Sequence, residues 1–413
     1  MKFAFIGGLS ISQALLVSPL ATWVTRKFGT RCTLLVGVAL ETLALIGASF
    51  THQIWQLFLS QGLCFGYGMG FLFVGSVGII PQWFSKRRSL ANGIGTAGSG
   101  LGGLTYSLAT NAMIDSIGVG WAFRTLGLLC CGVNSVCALL VKDRNKIIGA
   151  KQLAFDYTLF RRGEYWLLLG WGFFSMLGYV VLLFSLPNFA VSVGLSARQG
   201  SEIGALLNLG QGLGRPAVGI FSDSAGRINL AGLCTFVAGF LCLVMWIFAK
   251  SYGTIIFFAI LVGTVSGTFW TSIGPVGAEV VGLKELPSAL SIMWLFIVIP
   301  TTCMSMMLPI AKCADMLQVA EPIGLELRHG SGAIYLHAQI FTGLMYIAAA
   351  ICTLFLRAWK IGEVENEERK IESEARETNK ETSNGRHADC TQQGLSKRQS
   401  SNLMARTIKW RKV

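Results

Sequence analysis

The sequence predicts an all-α membrane protein, and three observations carry that reading. Of 413 residues 53% are hydrophobic and only 13% are charged, about half the charged share of a soluble domain. The apolar residues gather into stretches of roughly 20, the length a helix needs to cross the hydrocarbon core. The charge is displaced from them: 21 of the 55 charged residues lie in the last 56 positions.

Eleven stretches qualify as spans, near residues 3–24, 32–50, 55–80, 89–113, 121–141, 165–191, 200–222, 229–249, 253–278, 288–311 and 333–356. The first resembles a signal peptide, but it runs through Leu20, Ala21, Trp23 and Val24 into a basic cluster without a small-residue cleavage site, so it is read as a span. The fourth is crowded with Gly93, Gly95, Gly98, Gly100, Gly102 and Gly103. In lipid, small residues let helix backbones approach closely.

The net charge of +13 does not indicate a nucleic-acid partner, because the basic residues sit in short runs between apolar stretches. Arg26, Lys27 and Arg31 follow the first span, Lys86, Arg87 and Arg88 the third, and Lys142, Arg144, Lys146, Lys151, Arg161 and Arg162 the fifth. All three loops share one side, which the positive-inside rule makes cytoplasmic. Met1 then starts outside. The domains expected are an N-terminal bundle over 1–141 with five spans, a cytoplasmic central loop over 142–164, a C-terminal bundle over 165–357 with six spans, and a disordered cytoplasmic tail over 358–413. The tail begins Glu-rich and ends basic, with too few apolar residues to fold alone, and is expected to be disordered or partly helical. Its Trp410 among basic residues could touch anionic lipid, against the plainer reading of a solvated end.

Most of the eleven cysteines, such as Cys64, Cys130, Cys131, Cys137, Cys234, Cys242, Cys303 and Cys352, fall inside apolar runs, and no CxxC or Cys/His ligand spacing occurs. They read as small packing residues; no metal and no cofactor is expected. Four histidines (His52, His329, His337, His387) form no HxxxD, DHHC or HExxH pattern, which argues against a membrane enzyme and leaves no catalytic residue to name.

An internal repeat joins the halves. Pro19 precedes Gly29 by ten residues and Pro216 precedes Gly226 by the same ten, 197 positions on; Lys86 and Ala91 match Lys284 and Ala289 at 198. Two parallel halves with a substrate site between them are a known transporter plan. On a six-span period the first half lacks one span, which would precede residue 1.

The stretch Trp83-Phe84-Ser85-Lys86-Arg87-Arg88-Ser89-Leu90-Ala91-Asn92-Gly93-Ile94-Gly95-Thr96-Ala97-Gly98 resembles the signature of the monocarboxylate porter family of the major facilitator superfamily, in its fungal branch. Ser18-Pro19-Leu20 through Arg26-Lys27-Phe28-Gly29-Thr30-Arg31 is similar to the family's loop between spans two and three. Gly214-Arg215-Pro216 through Gly219, Asp223, Gly226 and Arg227 is similar to its second-half counterpart. Glu279-Val280-Val281-Gly282-Leu283, Leu286-Pro287-Ser288-Ala289, Trp294 and Pro300-Thr301-Thr302 look like the fungal branch. The resemblance covers about residues 5–357. It implies the major facilitator fold, two pseudo-symmetric helical bundles working by alternating access, and a secondary transporter of a small organic solute: a monocarboxylate or another anionic or vitamin-like metabolite. Export of a secondary metabolite, or a non-transporting sensor or inactive relative, stands as the alternative. The plasma membrane is expected ahead of the vacuolar membrane. Oligomeric state is not legible.

Arg215 is the leading substrate-binding candidate, since an intramembrane cation is costly and usually faces a cavity or a partner. It lies eight residues before Asp223, about 12 Å along a helix. Snorkelling to the cytoplasmic interface, or pairing with another helix, is the alternative, but the position 197 earlier is Ser18, and a purely architectural arginine would more often recur in both halves. Asn208, Gln211 and Arg215 share a helix face. Gln61, Tyr67, Tyr179, Trp270 and Trp294 are further candidates, for each aromatic against a plain packing role. The resemblance places an acid in proton coupling where this chain has Gln211, which cannot titrate; that favours a facilitator, or coupling to protons through another group. Asp223 and Arg227 are expected in a gate, joined by Lys86, Arg87 and Arg88 unless these only set topology. Where the first-half copy would carry the acid it has Arg26.

Overall fold

The computed structural model describes residues 2–310 and 335–383. In order, the helices are α1 Lys2–Leu16, α2 Ser18–Phe28, α3 Thr30–Ala48, α4 Ile54–Trp83, α5 Arg88–Leu140, α6 Gly163–Ser192, α7 Ala197–Ala225, α8 Arg227–Trp246, α9 Tyr252–Val280, α10 Leu286–Ile310 and α11 Leu336–Ser383. Short turns at Asn145–Ile148 and Tyr157–Arg161 interrupt the connector between α5 and α6.

Local chemistry sets several boundaries. The Ser196 hydroxyl accepts from the Gln199 backbone N–H at 3.2 Å while the Gln199 side chain accepts from Ser196 N–H at 2.9 Å, a reciprocal cap that starts α7. Gly226 ends α7 and begins α8 at φ 102°, and Gly29 does the same between α2 and α3 at φ 89°. The two glycines stand 197 positions apart and turn the chain alike, in a region of φ that side chains with a Cβ avoid. The repeat read from the sequence is thus a repeat of backbone geometry.

Seven helices among the described residues are long and apolar enough to cross a membrane, or eight if α1 and α2, bent by 44°, form one span. The other three expected stretches are helices as well: the first part of α5 is glycine-rich, α7 carries a polar stripe, and α10 runs from Leu286 to Ile310. The expected fourth and fifth spans are the two helical parts of α5, which meet at Gly118 (φ 80°, ψ 163°), where the backbone is not helical.

Of the two states expected for the tail, its first part takes the helical one. α11 continues helical to Ser383, and Glu365 and Arg369 sit one turn apart, 4.0 Å between charged atoms, the spacing at which exposed helices gain stability. Residues 384–413, with Trp410, lie outside the described residues, as do His329, His387 and residues 311–334.

Two helix sets follow. α3 packs on α4 and α5, while α6 packs on α7, α10 and α11, and α8 on α11. The sets meet where α5 packs on α7 and α9, and where α1 and α2 pack on α10. The second set holds the large cores: Trp171, Phe269, Trp294 and Ile297 in one, Trp246, Phe258, Ile203 and Tyr346 in the other. The first set relies more on small residues; a Cβ on Gly70 would fall 2.4 Å from the Ala14 carbonyl oxygen. Described cysteines are free, and Cys234 and Cys242 are buried.

Contacts between the sets repeat as well. The Ser18 hydroxyl donates to the Ser291 carbonyl at 3.0 Å. At the corresponding positions, a Cβ on Gly93 would lie 2.5 Å from the Arg215 carbonyl oxygen. Gly100 against Gly212 and Gly219 against Ser89 continue this seam, with Cβ positions 2.6 and 2.7 Å from the facing backbone. Such approach puts α5 within reach of the polar face of α7.

Candidate functional site: a buried arginine between the helix sets

Arg215 stands where α5, α7 and α9 converge, and is 5% exposed. Its Nη1 donates to the Thr96 carbonyl at 2.7 Å and to the Ser99 hydroxyl, and its Nη2 donates to the Gln211 side-chain oxygen at 2.8 Å. Tyr179 of α6 donates its phenolic proton to that same oxygen at 2.9 Å. Gly267 of α9 makes the space: a Cβ there would lie 3.0 Å from Arg215 Nε.

The electrostatics are unbalanced. Among the described residues no carboxylate pairs with Arg215, and its buried Nε and the Gln211 Nε2 have no hydrogen-bond partner. Buried polar groups are satisfied in the great majority of cases, and exceptions call for a cause. Ser99, on the guanidinium's outer side, is exposed. A planar cation with spare donors, one bond below an accessible surface, can hold an oxyanion, bidentately where both donors reach it.

The structure brings several of the predicted residues together. Trp270 stacks on Trp294 with ring centroids 5.8 Å apart and planes 13° apart, and Tyr179 meets the edge of Trp270 at 6.4 Å. Trp294 is fully buried, so it supports Trp270 from behind. Asn208 lies two turns along α7 from Arg215, with its amide 3.8 Å from where a Gly103 Cβ would be. Gln61 and Tyr67 are not brought to this cluster: Gln61 donates to the Ala44 carbonyl at 3.4 Å, and Tyr67 packs on Val17, Ala21 and Phe71. Thr96 and Ser99 were missed as partners. Both sit in the quoted glycine-rich stretch, where hydroxyls at three-residue spacing mark a polar stripe.

A second cluster closes the basic-loop end of the same seam. The Asp223 carboxylate accepts from the backbone N–H groups of Ser89 and Leu90, at 3.1 and 3.0 Å, so it caps the exposed N-terminus of α5 from the other helix set. Arg227 donates to Asp223 at 3.2 Å, to Glu279 at 2.7 Å and to the Ser85 carbonyl at 2.7 Å. Arg88 lies within electrostatic range of Asp223, Glu279 and Arg227 and donates to the Phe84 carbonyl at 2.9 Å. Lys86 and Arg87 are exposed and make no described contact with the cluster. Glu279 was missed; its signal is that it is an acid at the end of an otherwise apolar span.

The first-half counterpart lacks both sides of this contact. Arg26 replaces the acid, and the position matching Ser89 is Pro287, which has no N–H to donate. The connector takes its place. Ser288 donates to the Lys151 carbonyl at 2.7 Å and accepts from Leu153 N–H at 3.0 Å, and Arg162 pairs with Glu285 at 3.2 Å.

Two helical sets, a polar seam between them and a charged centre along it define a polytopic membrane transporter. Residues 3–301 match the Major Facilitator Superfamily, and the chain belongs to that superfamily. It is 35% identical over 368 residues to "Probable transporter MCH2" of Saccharomyces cerevisiae, covering 87% of this chain and 74% of that protein. It is 28% identical over 358 residues to the "Fujikurins efflux protein" of Gibberella fujikuroi, with 86% and 73% covered. Among solved structures, the proton:xylose symporter XylE aligns with TM-score 0.66 at 13% identity, over 85% of each chain. The E. coli fucose:proton symporter FucP aligns with TM-score 0.64 at 12% identity, over 86% of this chain and 91% of that one. The chain is an integral, multi-pass secondary transporter of this superfamily.

Proposed function

We propose that this transporter carries a small organic anion, of carboxylate-bearing or vitamin-like class, by alternating access, and that Arg215 is the group that holds it. The observation that carries the reading is the buried guanidinium without a carboxylate partner, beside two unpartnered donors. A carboxylate arriving there supplies the missing acceptors. Gln211 and Tyr179 set the orientation, and Trp270 on Trp294 offers an aromatic wall for the solute's apolar part. The Asp223, Arg227 and Glu279 cluster acts as the latch that holds α5 against α7 on the cytoplasmic side, the side of the basic loops. The plasma membrane is the proposed location.

The test is uptake of labelled lactate, pyruvate and riboflavin by cells carrying wild type or Arg215→Gln at equal surface expression. Loss of charge-assisted hydrogen bonds of about 1.5–3 kcal/mol corresponds to roughly 10- to 100-fold weaker transport. Equal uptake by both proteins would sink the assignment. A second reading, export of a secondary metabolite, is favoured by the resemblance to the fujikurins efflux protein; efflux from preloaded vesicles separates the two directions.

A further inference from the structure

Glu41 is the one carboxylate of α3 and lies inside that apolar helix, away from both ends. In α3 it lies roughly 16 Å from Thr30 and roughly 10 Å from Ala48. Of the other acids, Asp223 and Glu279 end α7 and α9, Glu164 and Glu202 are near the starts of α6 and α7, Asp115 is beside the Gly118 break, and those of α11 begin at Glu363, in its polar second half.

The surroundings of Glu41 are polar but uncharged. Asn134, on the second part of α5, donates its amide to Glu41 Oε2 at 2.9 Å. Tyr106 and Cys130, from the two parts of α5, face it and are hydrogen-bonded to each other. From α4, Cys64 donates to the neighbouring Leu40 carbonyl at 3.3 Å, and Tyr67 adjoins Gly68, whose Cβ position is 2.6 Å from Glu41 N. The cations lie at the two ends of α3. Arg26 and Lys27 are in the last turn of α2, and Arg124 donates to Ser49 at 3.1 Å. Among the described residues none of them pairs with Glu41.

A carboxylate in mid-membrane with no cation is costly as an anion and far less so as a neutral acid. The Asn134 amide serves either form, since it donates to an oxygen that both retain. We propose that Glu41 is a proton-binding site of the N-terminal helix set: the carboxylate takes one proton from water, giving the neutral acid, and returns it to water when the site faces the other way. The proton is neither generated nor consumed, and no other reactant enters. Binding of the proton stands on the geometry alone; its coupling to a solute rests on the alternating-access reading above. Such a site would supply the titratable group that Gln211 cannot be.

The experiment uses the full chain in lipid nanodiscs and follows the infrared carbonyl stretch of protonated carboxyl groups through a pH titration. The expected result is a titrating band that disappears in Glu41→Gln, moves in Glu41→Asp and shifts in Asn134→Leu, where the hydrogen bond is lost. A spectrum unchanged by Glu41→Gln overturns the proposal. In proteoliposomes, a gradient of about one pH unit can drive roughly tenfold accumulation per proton. Accumulation of labelled lactate or pyruvate should be lost in Glu41→Gln and restored in part by Glu41→Asp, whereas undiminished accumulation overturns coupling through Glu41. If wild type moves neither probe, the solute assignment fails, and the infrared band still decides the proton site.

Discussion

Tyr179 and Arg215 share a single acceptor: the Gln211 side-chain oxygen receives the phenolic proton at 2.9 Å and an Arg215 N–H at 2.8 Å. The shared oxygen fixes Gln211 in one orientation and leaves its own Nε2 free of partners. Tyr179→Phe removes one of the two restraints while preserving the ring that meets Trp270. A neutral hydrogen bond contributes about 0.5–1.5 kcal/mol, so the expected effect is a severalfold rise in KM for a transported anion with a smaller change in maximal rate. Kinetics of labelled uptake check this, and an unchanged KM would remove Tyr179 and Gln211 from solute positioning.

The Asp223 carboxylate spans the seam to the first turn of α5, where an anion contributes about 0.3–2 kcal/mol. Asp223→Asn keeps the shape but removes the charge and the ion pair with Arg227. Ser222, 1% exposed, is the reporter. In a background with Cys32 and Cys137 replaced by serine, Ser222→Cys should react with a membrane-impermeant maleimide several times faster when Asp223→Asn is present. Equal rates would mean that the cluster does not hold the seam closed.

The glycines of α5 separate close approach from mere composition. A Cβ at Gly100 would lie 2.6 Å from Gly212 N, whereas one at Gly98 meets nothing within 4 Å. Gly100→Ala is therefore expected to destabilise by about 1–3 kcal/mol through overpacking. Gly98→Ala should be neutral or stabilise by up to about 1 kcal/mol, through helix propensity. Thermal unfolding of the purified chain in one detergent should rank them in that order.

Asp156 in the connector accepts from the Thr158 hydroxyl at 2.6 Å and from its N–H at 3.0 Å. These bonds, the hydroxyl's foremost, hold its carboxyl below the usual carboxylate range. Because the folded value is depressed, the stabilisation is fully present above the unfolded value of about 3.9 and fades as pH falls through the folded one. Wild type should therefore exceed Asp156→Asn in thermal stability from pH 5 to 7, and the gap should close below about pH 4. A gap independent of pH would assign the effect to shape instead of charge.

The sequence disclosed the helices wherever apolar length alone decides, as in α3, α6 and α9. It also disclosed the repeat, because glycine is needed at the positive-φ turn of each copy. α7 was found by apolar length in spite of its polar stripe. What it concealed depends on groups without a side-chain signature. The Asp223 partners are backbone N–H donors of Ser89 and Leu90, which any two residues would provide. Thr96 meets Arg215 through its backbone carbonyl, which any residue would provide. The extent of the helical run beyond residue 358 was hidden for another reason: low apolar content indicates only that a segment cannot build a core, and an extension of an existing helix does not need to.

The loss of both Asp and N–H at Arg26 and Pro287 makes the molecule lopsided. Of its two matching seams, one is fastened by largely buried ion pairs and the other by neutral hydroxyls and by the connector's more exposed Lys151 and Arg162 on Glu285. Parting α5 from α7 must rehydrate a carboxylate and two guanidinium-bearing neighbours, whereas sliding α2 along α10 disturbs little charge. Ionic strength screens the exposed connector pairs more than the buried ones, and the rocking axis would sit off-centre, nearer the stiffer edge.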